Sequence, residues 1–151
     1  MFRTEGVPRG YYRLPIGKAD VKRTGSDLTI LTVGATLYRA LDAVLRLGEL
    51  GASVELIDAR TLVPFDADAV IESVHKTHRL LIVSDMVEQG SYLGQLAARI
   101  QERAFDELDA PVVVLGALDA ITPPAELERA YFVQPEDIVE AVDERLLPLR
   151  A

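Results

Sequence analysis

Apolar residues fall along the chain in two alternating rhythms. The run LTILTV, residues 28–33, is short and rich in β-branched side chains, and Gly34 closes it. A 3.6-residue period then sets Leu37, Leu41, Val44 and Leu45 on one face, with Arg39, Asp42, Arg46 and Glu49 opposite. That pattern predicts an amphipathic helix, ended by Gly48 and Gly51. SVELID, residues 53–58, predicts the next strand. In the connector ARTLVPFD, Pro64 and Asp66 announce a second helix, with Asp66 as its N-cap and an end near Thr77. RLLIVS, residues 79–84, is apolar almost throughout, as expected of a strand covered on both faces. Leu93, Leu96, Ala97, Ile100, Ala104 and Leu108 recur at helical spacing and predict one long helix, stopped by Pro111. PVVVLGA contains another buried strand. The last helix opens at Pro135, carries Glu136 and Asp137 where the helix dipole favours negative charge, and ends near Leu146.

Strands alternating with helices predict an α/β fold, a parallel sheet with helices on both faces. ADVKR, residues 19–23, can add an edge strand. Residues 1–18 follow neither rhythm. Gly6, Pro8, Gly10, Pro15 and Gly17 favour irregular chain, yet Phe2, Tyr11, Tyr12, Leu14 and Ile16 are too apolar for a free tail. The expectation is an extended arm over 1–18, lying on a surface, and one domain over 19–151.

Composition narrows the function classes. A chain of 151 residues can bury a full core, and 49% hydrophobic with 26% charged residues is a globular composition. The formal net charge of −8 argues against a partner that is nucleic acid or an anionic membrane, since both demand excess Lys and Arg. Cysteine is absent, so the chain offers no thiolate nucleophile and no Cys-held metal. No apolar run reaches the ~20 residues that span a bilayer, and the N-terminus lacks the apolar core of a signal peptide. The chain reads as cytoplasmic.

Ligands of open α/β sheets bind beyond the C-terminal strand ends. After the first full strand stands Gly34-Ala35-Thr36, without the G-x-G-x-x-G of a dinucleotide site, and no P-loop occurs. Asp58 could be a phosphoacceptor or metal ligand. The acidic pair and lysine that a receiver-type site needs are missing, so Asp58 and Arg60 are expected to tie the connector down. The stretch IVSDMVEQGSYLGQL, residues 82–96, looks like a ligand loop, but Asp85 and Glu88 oppose a phosphate. Gly90 and Gly94 are expected to permit close packing at a helix start. GALDAITPP brings Asp119 and Thr122 with a stiff Pro123-Pro124 connector. His75 and His78, the only histidines, could contribute two ligands to a metal site or simply suit a helix C-terminus.

Several segments together carry a resemblance. LPIGKADVKRTGSDLTILTVG, VELIDARTLVPFDADAVIESVHKTHRLLIVSD, LAARIQERAFDELDAPVVVL and TPPAELERAY resemble the C-terminal third of β subunits of thiamine-diphosphate-dependent 2-oxo acid dehydrogenases, the pyruvate, branched-chain 2-oxo acid and acetoin enzymes. The resemblance runs from about Arg3 to Leu147. It implies a transketolase C-terminal-type fold, a three-layer α/β/α sandwich whose five-stranded, mostly parallel sheet has one antiparallel edge strand. It implies that thiamine diphosphate and Mg²⁺ serve the complete enzyme, while this chain alone binds no cofactor, holds no metal and is inactive. The family's Gly-Asp-Gly motif is absent, and its pyrimidine-binding domain would precede Met1.

What remains for this domain is assembly, with a second copy of the subunit, the α subunit and the acyltransferase core as partners. The family's docking acid falls on Asp109, and the family's C-terminal tail also contributes, which makes residues near Leu147 to Ala151 candidates. Asp85, Gly90, Tyr92 and Gly94 lie where the family makes a subunit contact, and Asp119 completes the interface candidates. The family often has Gly where His78 stands, an Asp-Glu pair near Ser84-Asp85 and a Gly-Gly-aromatic-Gly run in place of Gly90-Ser91-Tyr92-Leu93-Gly94. Two alternatives stay open: a stand-alone interaction module without catalytic activity, and a small-molecule-binding domain using Asp58, Asp85 and Asp119 at neighbouring strand ends.

Overall fold

The structure, a computed structural model, describes residues 8–149. Five strands form one sheet: β1 (Asp20–Arg23), β2 (Leu28–Val33), β3 (Val54–Asp58), β4 (Leu80–Val87) and β5 (Val113–Ala117). Their order is β1-β3-β2-β4-β5. β2 pairs in parallel with β3 and with β4, β4 pairs in parallel with β5, and β1 runs antiparallel to β3 at the edge. The predicted mixed sheet is therefore present, edge strand included.

Helices cover both faces. α1 (Thr36–Glu49) packs with the last helix on one side, where Ala40, Ala43, Val44 and Leu47 meet Leu28, Ile30, Leu56 and Leu81. α2 (Ala67–Thr77) and α3 (Tyr92–Ala104) cover the other, where Val70, Val74, Leu96 and Ile100 meet Leu31, Ile57 and Ile82. Fully buried Leu and Ile side chains contribute roughly 1.5–3 kcal/mol each relative to exposure. A short α4 (Glu128–Tyr131) precedes α5 (Pro135–Arg145), which opens with a capping box between Gln134 and Asp137.

The structure corrects several expectations. The inward stripe of α1 is Thr36, Ala40, Ala43, Val44 and Leu47, and Leu41 and Leu45 face outward. Two alanines let the helix sit close to the sheet, so small residues took the face that the leucines were expected to fill. Arg39, expected on the solvent stripe, is only 20% exposed. Asp66 stands at the N-cap of α2 but makes no capping bond; its carboxylate accepts the Ala19 N–H at 3.2 Å and pairs with Lys18. It holds the entry to β1 instead of the helix end. α3 stops at Ala104, and residues Phe105–Glu107 form a 3₁₀ turn. Leu108 still joins the core, but from extended backbone. The turn is anchored from outside by the Asp109 N–H, which donates to the His78 carbonyl at 2.9 Å.

Residues 1–7 of the expected arm lie outside the described residues. Within the rest, Tyr11 and Ile16 are 84% and 78% exposed, so this part does not lie apolar-side-down on its own domain. Attachment begins at Gly17, whose N–H donates to Thr61 Oγ1 at 3.1 Å.

Candidate functional site

Three places gather the predicted residues. The first is the rim at the C-terminal strand ends. Asp58 accepts the Arg60 N–H at 3.0 Å, and Arg60 (φ 54°) turns its guanidinium to Asp20 at 2.5 Å. Asp20 is drawn below its ordinary pKa, first by a hydrogen bond from Lys22 and then by the two nearby cations, against the opposing effect of burial. So Asp58 and Arg60 do tie the connector down. Asp85 pairs with Arg39 at 2.5 Å, and the Arg39 guanidinium lies 5.6 Å from the Phe132 ring centre. Asp119 is exposed on the loop after β5. β2 stands between β3 and β4, so Asp58 and Asp85 are not at neighbouring strand ends as expected. The three aspartates do not converge. Among the described residues no group of three or more His, Asp or Glu could hold a metal ion.

The second place is the loop between β4 and α3. Ser91 caps α3, its hydroxyl accepting the Leu93 N–H at 3.3 Å. Gly90 adopts φ 68°, a left-handed turn where a side chain would be strained. Tyr92 donates its hydroxyl to the Leu62 carbonyl at 3.5 Å, joining the loop to the 59–66 connector. The close packing expected of Gly90 and Gly94 is absent within the chain: a Cβ at either would meet nothing within 4 Å.

The third place lies at the opposite end of the sheet, where α2 turns into β4 and the 3₁₀ turn enters β5. His78 closes α2 in a left-handed conformation, φ 58°, with Nδ1 2.8 Å from the Glu107 carbonyl. That geometry explains why glycine suits this position in the resembling family. His75 Nδ1 lies 3.4 Å from Glu107 Oε1. Both histidines thus address one residue and converge on no metal. Asp109 is 56% exposed and pairs with Arg79 at 3.1 Å. Phe105, 68% exposed, joins Gln101, Leu108, Asp109 and Pro111 around a hollow of about 440 Å³ beside it. Leu147 is half-buried against the α1 side of the core, and its N–H donates to the Val142 carbonyl at 2.8 Å. Residues 150–151 of the tail lie outside the described residues.

Sequence reasoning missed Arg79, Glu107 and Phe105. Arg79 opens an apolar strand, and nothing in its neighbourhood signals a pair 30 residues away. Phe105 stands beside the apolar stripe read from the sequence and outside it, and the structure turns it to solvent at 68% exposure.

Comparison with known proteins places this geometry. The family described as transketolase, C-terminal domain, matches residues 17–138. The chain is 39% identical to the 2-oxoisovalerate dehydrogenase subunit beta of Bacillus subtilis over 91% of its length. It is also 39% identical over 92% to that organism's pyruvate dehydrogenase E1 component subunit beta, and over 93% to its acetoin:2,6-dichlorophenolindophenol oxidoreductase subunit beta. The chain spans about two-fifths of the length of these curated relatives, 41–43%. Among solved structures, a split-gene transketolase described as an inactive β4 tetramer superposes with a TM-score of 0.74 at 28% identity, over 96% of this chain and 47% of that one. A 2-oxoglutarate:ferredoxin oxidoreductase from Magnetococcus marinus shares the fold, with a TM-score of 0.57 at 17% identity, over 89% of this chain and 20% of that one. No described helix is long and apolar enough to cross a membrane.

Proposed function

The chain belongs to the family of transketolase C-terminal domains, and from that premise we propose that it is the assembly domain of the decarboxylating component of a 2-oxo acid dehydrogenase complex. In this reading it pairs β subunits, contacts the α subunit and docks the acyltransferase core during oxidative decarboxylation of a 2-oxo acid. One observation carries the reading: nine-tenths of the chain aligns at the same 39% identity with β subunits of three such oxidoreductases. Equal likeness to proteins named for different substrates leaves the acid unassigned, as suits a domain that does not touch it.

Thiamine diphosphate and Mg²⁺ would act in the complete enzyme. The residues of this chain do not fit that group: the sequence has no Gly-Asp-Gly turn, and no metal-ligating trio converges among the described residues. The proposal therefore gives this chain no bond-making step. Asp109 is its contact for a basic docking domain. Arg79 lies within 3.1 Å of one carboxylate oxygen and orients the group, and half of the side chain stays open for a partner cation.

Calorimetric titration of the 151-residue chain with thiamine diphosphate and Mg²⁺ should show no binding heat. Co-expression with a dehydrogenase α subunit, the part of a relative's β subunit that this chain does not span and an acyltransferase subunit-binding domain should give a captured complex. Asp109→Asn should weaken capture of the docking domain about tenfold, the cost of one charged contact. Failure of the chain to enter the complex, or decarboxylation by the chain alone, would overturn the reading.

A further inference from the structure

Both histidines of the chain face one short segment, the 3₁₀ turn that leads to Asp109. A run of contacts joins the end of α2 to that turn. His75 Nδ1 lies 3.4 Å from Glu107 Oε1, and His78 Nδ1 lies 2.8 Å from the Glu107 carbonyl oxygen. The His78 carbonyl accepts the Asp109 N–H at 2.9 Å, and Arg79 reaches Asp109 Oδ2 at 3.1 Å. The docking acid is thus held, through backbone and side chain, by residues that adjoin the two imidazoles.

Backbone geometry does not call for histidine at 78. Its φ of 58° strains a residue with a Cβ, and glycine or asparagine enters that conformation more readily. What the ring adds is a bond to the turn and a place for a proton. A carbonyl oxygen only accepts, so Nδ1 donates to Glu107 and Nε2 remains to be protonated. Charging the ring therefore leaves that bond in place.

The charges around the rings give the proton a consequence. Within the facing segments 75–79 and 105–109, Asp106, Glu107 and Asp109 stand against Arg79, because Lys76 turns to Glu55. The other charged groups on the elements packed here are Glu72, one turn before His75 on α2, Arg103 of α3, which pairs with Asp68 at 2.7 Å, and Asp27 before β2, whose carboxylate accepts from Ser26 and the Ser53 N–H. With neutral imidazoles three carboxylates face one guanidinium, and two imidazolium rings make the count equal. Histidine ordinarily titrates between pH 5 and 8 and carboxylates about two units lower. Mild acid therefore charges the rings and leaves the acids ionised.

We propose that His75 and His78 make docking at Asp109 sensitive to protons: neutral rings leave an acidic surface for a cationic partner, and protonated rings cancel that charge and release the partner. The proposal adds regulation to the docking reading and rests on it.

The assembled α and β components, prepared without the acyltransferase subunit-binding domain, are titrated with that domain by calorimetry at fixed ionic strength. From about pH 8 to about pH 5.5 Kd should rise about tenfold, the effect of two unit charges across a partly exposed contact. Raised salt should shrink that loss. His75→Gln combined with His78→Asn removes both protons, and asparagine tolerates the left-handed backbone. This variant should bind like wild type at about pH 8 and lose less than about twofold on acidification. His75→Gln alone, where the ring is 51% exposed, should recover about threefold of the loss. Titration of the partner's own groups is common to all these proteins, so their differences report the rings. A wild-type Kd that ignores pH, variants that keep the full loss, or a loss indifferent to salt overturns the inference and leaves docking standing. Absence of binding at every pH overturns the docking reading and this inference with it.

Discussion

The same substitution, glycine to alanine, should act with opposite sign at Gly116 and Gly94. Gly116 lies in β5, beside the irregularity where the β4–β5 register shifts between Val83 and Val87. A Cβ there would stand 2.6 Å from the Met86 carbonyl oxygen, 2.7 Å from the Glu88 nitrogen and 2.9 Å from the Glu88 Cα. These are backbone atoms, so no rotamer change relieves the overlap, and β4 must move away from β5. That motion strains the bond in which the Glu88 N–H donates to the Ala117 carbonyl at 3.3 Å. Overpacking costs about 1–3 kcal/mol and a lost ladder bond about 1 kcal/mol, together roughly 3 kcal/mol. For a chain of this size 1 kcal/mol moves Tm by about 2–4 °C, so Gly116→Ala should melt roughly 6–12 °C low. At Gly94 the new methyl meets nothing, and alanine's better helix propensity should raise the monomer's Tm by about 1–3 °C. Melting by circular dichroism at low protein concentration measures both. A Gly116→Ala protein that melts with wild type would refute the backbone-contact reasoning, and so would a Gly94→Ala monomer that melts lower.

Further outcomes attach to Glu55, its partner Lys76, and His78. Glu55 is 4% exposed in β3; burial alone would raise its pKa, but hydrogen bonds from Lys76, Ser73 and the Gly25 N–H, with the Lys76 charge, hold it below the ordinary 4.5. A folded pKa below the unfolded one adds stability that is full above pH 4.5 and fades as pH falls through the lowered value. Urea titrations across the acid range should therefore show a limb that Glu55→Gln flattens. Lys76→Met, whose ammonium is half exposed, should cost about 1–2 kcal/mol at neutral pH. At the end of α2, His78→Ala should lose about 1–2 kcal/mol, because it keeps φ 58° without the ring's bond to Glu107. His78→Gly should recover about 1 kcal/mol of that by removing the Cβ strain, and a glycine variant no more stable than the alanine one would contradict this account.

The sheet was readable because its signal is local and redundant. β2, β3 and β4 are apolar runs bounded by turn residues, and a strand buried on both faces has no other way to be written. The β1 edge strand was readable only as an option, since DVKR has four residues and a mostly exposed pattern. Helix faces were harder. In α1 the leucines satisfied the period, but the sheet accepted Ala40 and Ala43 and turned Leu41 and Leu45 outward. Periodicity counts apolar residues without knowing how close the layer beneath must come. In α3 the pattern continued to Leu108, yet the helix yields to a 3₁₀ turn at Phe105. Just beyond that turn the Asp109 N–H donates to the His78 carbonyl across 31 positions, a contact that no local window contains.

Surface residues obey a different rule. Gly25 and Gly116 are explained inside the chain, because neighbouring backbone leaves no room for a side chain. Gly94 and Phe105 are not, and neither are Val63 at 84% exposure and Ile121 at 95%. Large apolar side chains left in water contribute nothing to this domain's stability, and several on one rim mark a surface that something else covers. Val63 follows β3, and Leu118 and Ile121 follow β5, so these exposed residues stand at C-terminal strand ends with β2 and β4 between them. The Asp109–Arg79 end and the outer face of α3 point elsewhere on the molecule. Exposed apolar residues that face outward in separate directions are what the proposed assembly role requires of a domain held by several neighbours.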